Sequence, residues 1–154
     1  AGATTLLDGI HGFAPEAVYQ PMGCTADMQA NKVVAVVGEL PYAEFMGDSV
    51  NLNLTKTQQK MITQCKSLGK QVIVVLISGR GMTVTSTIEQ SDAFIAAWLP
   101  GSEGAGVADF LFGANGFKPV GTLPTSWPNQ YDDLPLAPDA KNALYPFGYG
   151  LNEY

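Results

Sequence analysis

Positive charge is scarce in this chain: 8 lysines and arginines stand against 14 aspartates and glutamates, for a formal net charge of −6. Such a chain repels a phosphate backbone and carries no basic stripe, so nucleic acid is not an expected partner and neutral or cationic ligands fit better. Soft metal ligands are equally few. His11 is the one histidine, and Cys24 and Cys65 stand far apart with no CxxC spacing around them. That set argues against a zinc site. A disulfide between the two cysteines and two ordinary buried thiols are both compatible with the sequence. His11, beside Gly12, reads as a capping or surface residue near a helix end. No apolar run reaches the roughly 20 residues of a membrane helix, so no membrane partner is expected. The opening AGATTLLDGIHG lacks the basic n-region and long apolar core of an intact secretory signal, and the missing initiator methionine points to a processed protein or a fragment.

What is present is the composition of a packed domain. Hydrophobic residues make up 46% of the 154 and charged residues 14%, with 17 glycines and 10 prolines to turn the chain. A domain of this length buries about two-thirds of its unfolded surface, so disorder does not describe it.

Hydrophobic patterning predicts an α/β order. Residues 4–10 read as the end of an amphipathic helix stopped by Gly12 and Pro15, and residues 17–19 as a short strand. Residues 33–37 form a β-branched and alanine run too short for a buried helix, as expected of a central parallel strand. Thr55 then has the position of an N-cap and Gln58 that of its capping-box partner. The segment that follows carries Met61, Ile62, Cys65 and Leu68 on one face and closes at Gly69. A second buried strand, VIVVLIS, completes a crossover unit. Residues 93–99 supply a third strand, broken by Pro100 and Gly101. Ser102 is the expected cap of a further helix that ends at Gly113. Residues 1–114 are thus expected to form an α/β domain. Residues 115–154 are expected to be its Gly/Pro/aromatic-rich arm, docked because its seven aromatics are costly to expose. Neither GRG nor GSEGAG has the spacing of a phosphate-binding loop.

The chemistry-bearing stretch is KVVAVVGELPYAEFMGD, residues 32–48, where a buried strand breaks into a loop holding Glu39, Tyr42, Glu44 and Asp48. Loops at strand ends are where α/β folds place function. Paired carboxylates beside an aromatic suggest sugar chemistry, and a solvated acidic loop is the alternative from spacing alone. Asp48, after Gly47, is expected to accept from backbone amides in a turn. Tyr42 is expected to pack, with a sugar-stacking role as the alternative. Arg80 is expected to pin loops through Glu103 or Asp109. Trp98 and Trp127 are expected in core or interdomain packing, with Tyr145, Phe147 and Tyr149 tying the arm to the body.

Taken in order, VVGELPYAEFMGD, GKQVIVVLISGR, DAFIAAWLPGSEGAGVADFLFG, GTLPTSWP and YPFGYGL resemble the second domain of family 3 glycoside hydrolases, in the β-glucan exohydrolase and β-glucosidase branch. The resemblance implies a three-layer α/β sandwich with a mostly parallel sheet, here lacking its first strand. It implies retaining hydrolysis of a β-glucoside or β-glucan oligosaccharide, with no cofactor and no metal. The general acid/base then falls on Glu44, the glutamate of PYAE, and a substrate contact on Tyr42; Glu39 and Asp48 become supporting residues. The nucleophilic aspartate of that family belongs to a preceding (β/α)8 barrel, which this chain does not contain. A stacking tryptophan of the family also lies outside it, just upstream of the segment resembling ATTLLDGI. One carboxylate of a pair cannot run a double displacement, so this portion is expected to be inactive alone. A secreted or periplasmic location is expected over a cytoplasmic one. The competing expectation is a carbohydrate-binding or interaction module that kept the fold without catalysis.

Overall fold

The computed structural model describes residues 2–150. The first helix, α1, spans Leu6–Phe13. It begins at its own capping box rather than continuing an earlier helix: Thr5 accepts from the Asp8 amide while the Asp8 carboxylate accepts from the Thr5 amide at 2.8 Å. His11 lies in its exposed last turn, with Nε2 2.8 Å from the Ala17 carbonyl oxygen. Residues 17–19 are not a strand; Val18 and Tyr19 are exposed, and no described strand lies beside them.

Three strands follow: β1 (Lys32–Gly38), β2 (Gln71–Ile77) and β3 (Ala93–Trp98). They form one parallel sheet in the order β1-β2-β3. Between β1 and β2 runs α2, Lys56–Ser67, whose Thr55–Gln58 capping box forms as the sequence requires. Between β2 and β3 lies a short helix absent from the sequence expectation, α3, Thr85–Gln90. It has no side-chain cap at its start and is built largely of β-branched and short polar residues, so local signals are weak.

Alternation along the strands splits the sheet into two faces. Val72, Val74 and Leu76 of β2 are fully buried beneath Ile62 and Cys65 of α2 and beside Val84, with Val37, Phe94 and Trp98 completing the cluster. Burying each such side chain contributes about 1.5–3 kcal/mol, so this face is the main core. Asp92 fastens the start of β3 to both layers: its carboxylate accepts from the Val72 amide at 2.6 Å and from Lys66 Nζ at 2.8 Å. The Lys66 contact, then the Val72 amide, holds its carboxyl below the ordinary carboxylate value.

The last helix, α4, spans Gly104–Phe112 and closes at Gly113, whose φ of 62° is the left-handed conformation glycine adopts freely. Its start is capped differently from expectation. Ser102 does not cap it; the Thr4 hydroxyl, 101 residues away, accepts from the Ala105 amide at 3.1 Å. Helices α1 and α4 pack closely because Gly9 lets Ala105 and Ala108 approach, a space in which an added Cβ would lie 2.7 Å from the Ala105 Cα. Leu6 and Val107 from this pair share a shallow groove with Val36 and Ile77 on the second sheet face, so helices flank both faces. The architecture is the expected α/β sandwich.

Cys24 and Cys65 form a disulfide that ties the segment before β1 to α2. Past α4 the chain is irregular, held by bridges between Thr122 and Gly150 and between Trp127 and Tyr145. Trp127 is 2% exposed and donates Nε1–H to the Met82 carbonyl at 2.8 Å, with Trp98 beside it at 5.8 Å. Tyr145 and Tyr149 stack on each other at 4.3 Å, while Phe147 remains exposed.

Candidate active site

Parallel strands deliver their following loops to one end of the sheet, and the register fixes which loops meet. Gly38 ends β1 opposite Ile77, the last residue of β2. The approach there is so close that a Cβ on Gly38 would collide with the Ile77 carbonyl oxygen, which also accepts from the Glu39 amide at 3.1 Å. Glu39 therefore leaves β1 beside the turn that leaves β2, and that turn carries Arg80.

Arg80 is spent entirely on the neighbouring loop. Its Nε and Nη2 donate to Glu39 Oε1 at 3.0 and 2.5 Å, and Nη1 donates to the Gly47 carbonyl at 2.6 Å. The guanidinium lies 4.8 Å from the centroid of the Tyr42 ring. The Tyr42 hydroxyl donates to the other Glu39 oxygen at 3.2 Å. Burial, then the Glu39 charge, pushes the Tyr42 phenol up, and the Glu39 hydrogen bond pushes the Arg80 guanidinium up, so both keep their protons. Tyr42 also lies against two glycines. A Cβ on Gly47 would overlap its ring, and one on Gly79 would lie 3.0 Å from its hydroxyl.

Held inside this clamp is a 3₁₀ turn, Glu44–Gly47. Glu44 opens it at φ 49°, a left-handed conformation that a non-glycine residue adopts at a cost of roughly 1–3 kcal/mol. Its side chain is exposed, and its carboxylate accepts no hydrogen bond from the described residues. The same loop carries three exposed apolar side chains, here termed its apolar collar: Leu40 at 86%, Phe45 at 82% and Met46 at 87% exposure. The pinned loop thus presents two carboxylates with no donor among the described residues, Glu44 and Asp48, and only Glu44 has a left-handed backbone. Among the described residues no cluster of histidine, cysteine, aspartate and glutamate could hold a metal ion. A larger groove of about 860 Å³ lies elsewhere, between β3, α4 and the C-terminal arm, where Phe94, Trp98, Phe110 and Tyr149 face it; no residue of the Glu44 loop lines it.

The sequence from residue 2 to residue 153 matches the glycosyl hydrolase family 3 C-terminal domain. The chain belongs to that family. It is 33% identical over 152 residues to a periplasmic beta-glucosidase of Salmonella typhimurium, a match covering 82% of this chain and 20% of the relative. A xylan 1,4-beta-xylosidase of Xylanibacter ruminicola is 37% identical over 117 residues, covering 69% and 13%. Among solved structures, an exo-1,3/1,4-beta-glucanase from a Pseudoalteromonas species superposes with a TM-score of 0.87 at 35% identity, covering 97% of this chain and 20% of that one. The chain spans a fifth or less of the length of these family 3 relatives.

Within this family 3 domain the fold brings Glu39, Tyr42, Glu44 and Arg80 into one loop cluster. Asp48 lies at its margin. The Asp48 amide donates to the Phe45 carbonyl, but among the described residues no backbone amide donates to its carboxylate as expected. Arg80 pairs with Glu39 and not with Glu103 or Asp109. The signal for that partner was present in the sequence: two adjacent parallel strands ending in Gly38-Glu39 and Ser78-Gly79-Arg80 bring those side chains together.

Proposed function

We propose that this domain supplies the general acid/base, Glu44, to an exo-acting retaining β-glucosidase or β-glucan glucohydrolase. The observation that carries the reading is Glu44 itself. A free, exposed carboxylate is kept in a strained backbone conformation by a loop that four side-chain contacts immobilise. Strain of this kind persists where surrounding structure over-determines it, and it clusters at active sites. Membership of a family whose relatives include beta-glucosidases gives the reaction class.

In that reaction the second carboxylate is the nucleophile, carried by a (β/α)8 barrel of the same enzyme. With the two carboxyl groups about 5–5.5 Å apart, one attacks the anomeric carbon. Glu44 protonates the departing glycosidic oxygen, then takes a proton from the water that releases the sugar. The collar of Leu40, Phe45 and Met46 is the surface that a barrel covers, excluding water from the Glu44 carboxylate. Tyr42, 40% exposed beneath Arg80, offers its remaining open area to the sugar. The Cys24–Cys65 disulfide, together with the periplasmic relative, supports a secreted or periplasmic location.

The test uses this domain together with its barrel portion. Glu44→Gln should lower kcat/KM for an alkyl β-glucoside, whose leaving group needs a proton, by about 10²–10⁴-fold. With 2,4-dinitrophenyl β-glucoside, whose leaving group needs none, the first step should survive, and azide should restore turnover in Glu44→Gly by replacing the activated water. Equal activity of Glu44→Gln and wild type on the alkyl substrate would overturn the assignment.

A further inference from the structure

We infer that Arg80, through Glu39 and the Gly47 carbonyl, is the positioning residue that fixes where the Glu44 carboxyl group is presented. This rests on the reading of Glu44 as the acid/base and adds to it the device that holds the carboxyl in place.

The geometry gives Arg80 an unusual allocation. Three of its donors reach residues 39 and 47, the two ends of the segment that contains Glu44, and its planar face covers Tyr42 in the middle. None of its side-chain hydrogen bonds serves β2 or the turn on which it sits. That turn is held separately, by the Ser78 hydroxyl donating to the Arg80 carbonyl at 2.8 Å and the Ser78 amide donating to the Trp98 carbonyl at 3.2 Å. The ion pair is also partly withdrawn from water, with 29% of the Arg80 side chain and 13% of the Glu39 side chain exposed. Withdrawing a charge pair costs desolvation, and an apolar pair of similar volume is often as stable or more so. Stability alone therefore gives weak grounds for this arrangement. A planar fork that fixes two points of a loop at once does what an apolar pair cannot, because it sets direction as well as proximity.

The strain at Glu44 makes that direction matter. With φ at 49°, the backbone is drawn toward an ordinary conformation that would swing the side chain away. The Gly47 carbonyl, one end of the 3₁₀ turn that Glu44 begins, is the point at which Arg80 opposes the swing. A carboxyl displaced by 1 Å or so loses proton transfer while leaving the sugar site intact.

Arg80→Lys and Glu39→Gln, each made in the domain joined to its barrel portion, test this. Lysine keeps the charge but not the fork, and glutamine keeps an acceptor but not the charge. Each variant should lose about 10–100-fold in kcat/KM on an alkyl β-glucoside, the scale of loss from misplacing a catalytic group by about 1 Å. On 2,4-dinitrophenyl β-glucoside each should lose no more than about threefold, with KM unchanged, because that leaving group departs without protonation. Added to Glu44→Gln, Arg80→Lys should cause no further loss on the alkyl substrate, since both act through one proton. Equal losses on the two substrates, or full additivity in the double variant, would show a structural ion pair only and overturn the inference. The Glu44 assignment stands or falls separately: Glu44→Gln must by itself show the leaving-group-selective loss. If it does while both clamp variants behave as wild type, the positioning role alone is wrong.

Discussion

At the scale of single residues, the decisive feature is a conflict between Glu44 and its own backbone. Left-handed φ suits glycine and is tolerated by asparagine, whose short polar side chain bonds locally; it is worst for β-branched residues. Glu44→Asn should therefore raise stability, by a few tenths to about 1 kcal/mol, while Glu44→Val lowers it by more than about 1 kcal/mol. Urea unfolding of the three proteins measures both, and equal stability of the Asn and Val variants would remove strain from the account. The same substitution that relieves the backbone removes the carboxyl group, so a gain in stability with a loss of turnover is the signature expected of a residue kept for chemistry. Glu39 shows the opposite balance. It is the most withdrawn of the loop carboxylates discussed, and both of its oxygens are committed, to Arg80 and to Tyr42. On the proposed reading, Glu39 is there to hold rather than to react.

At the scale of elements, local signals predicted much of what local chemistry decides. The helix after Thr55 was legible at both ends because a capping box and a terminal glycine are contiguous in sequence. The strands were legible because a buried parallel strand is a continuous apolar run. What escaped was in part local: α3, whose six residues carry little propensity, and the Thr5–Asp8 capping box that starts α1. It was in part decided across the fold: the cap of α4, supplied by Thr4 from the other end of the chain. The expected strand at residues 17–19 failed for the same reason in reverse. Its residues have strand propensity, but no described strand lies within reach to pair with them. The disulfide belongs with these, since pairing over 41 residues is a matter of spatial proximity that spacing does not reveal. Closing that loop should stabilise the domain by about 4 kcal/mol in the chain-entropy account, so Cys24→Ser with Cys65→Ser should lower the unfolding free energy by a comparable amount. Calorimetry with and without reductant checks this: reductant should lower the wild-type Tm and leave that of the double variant unmoved. A reductant-insensitive wild type would refute it.

At the scale of the whole molecule, the domain is finished on one side and open on others. The face beneath α2 is fully packed, yet Val36 in the outer strand β1 is 50% exposed, and among the described residues no strand pairs with the free edge of β1. The seven residues of that edge, KVVAVVG, combine high strand propensity with a single charge. Such an edge is a template for another strand. The apolar collar around Glu44, joined by Val50 at 75% and Leu99 at 69% exposure, adds surface that a lone domain would cover by association. A net charge of −6 opposes association only at long range, and salt screens it within about 10 Å at 0.1 M. The isolated 154-residue chain should therefore self-associate at micromolar concentrations, and more strongly as salt is raised. Light scattering after size exclusion should give a mass above the 16.3 kDa of one chain. Val36→Lys, which places a charge on the open edge, should return it toward that mass without lowering Tm, because half of the side chain already faces water. If the mass stays at one chain across concentration and salt, the open edge and collar do not drive association. Mixing with the barrel portion separates the two surfaces. A barrel that covers the collar should protect Phe45 and Met46 from solvent while leaving the β1 edge as reactive as before, so suppression of association by Val36→Lys should persist in the mixture.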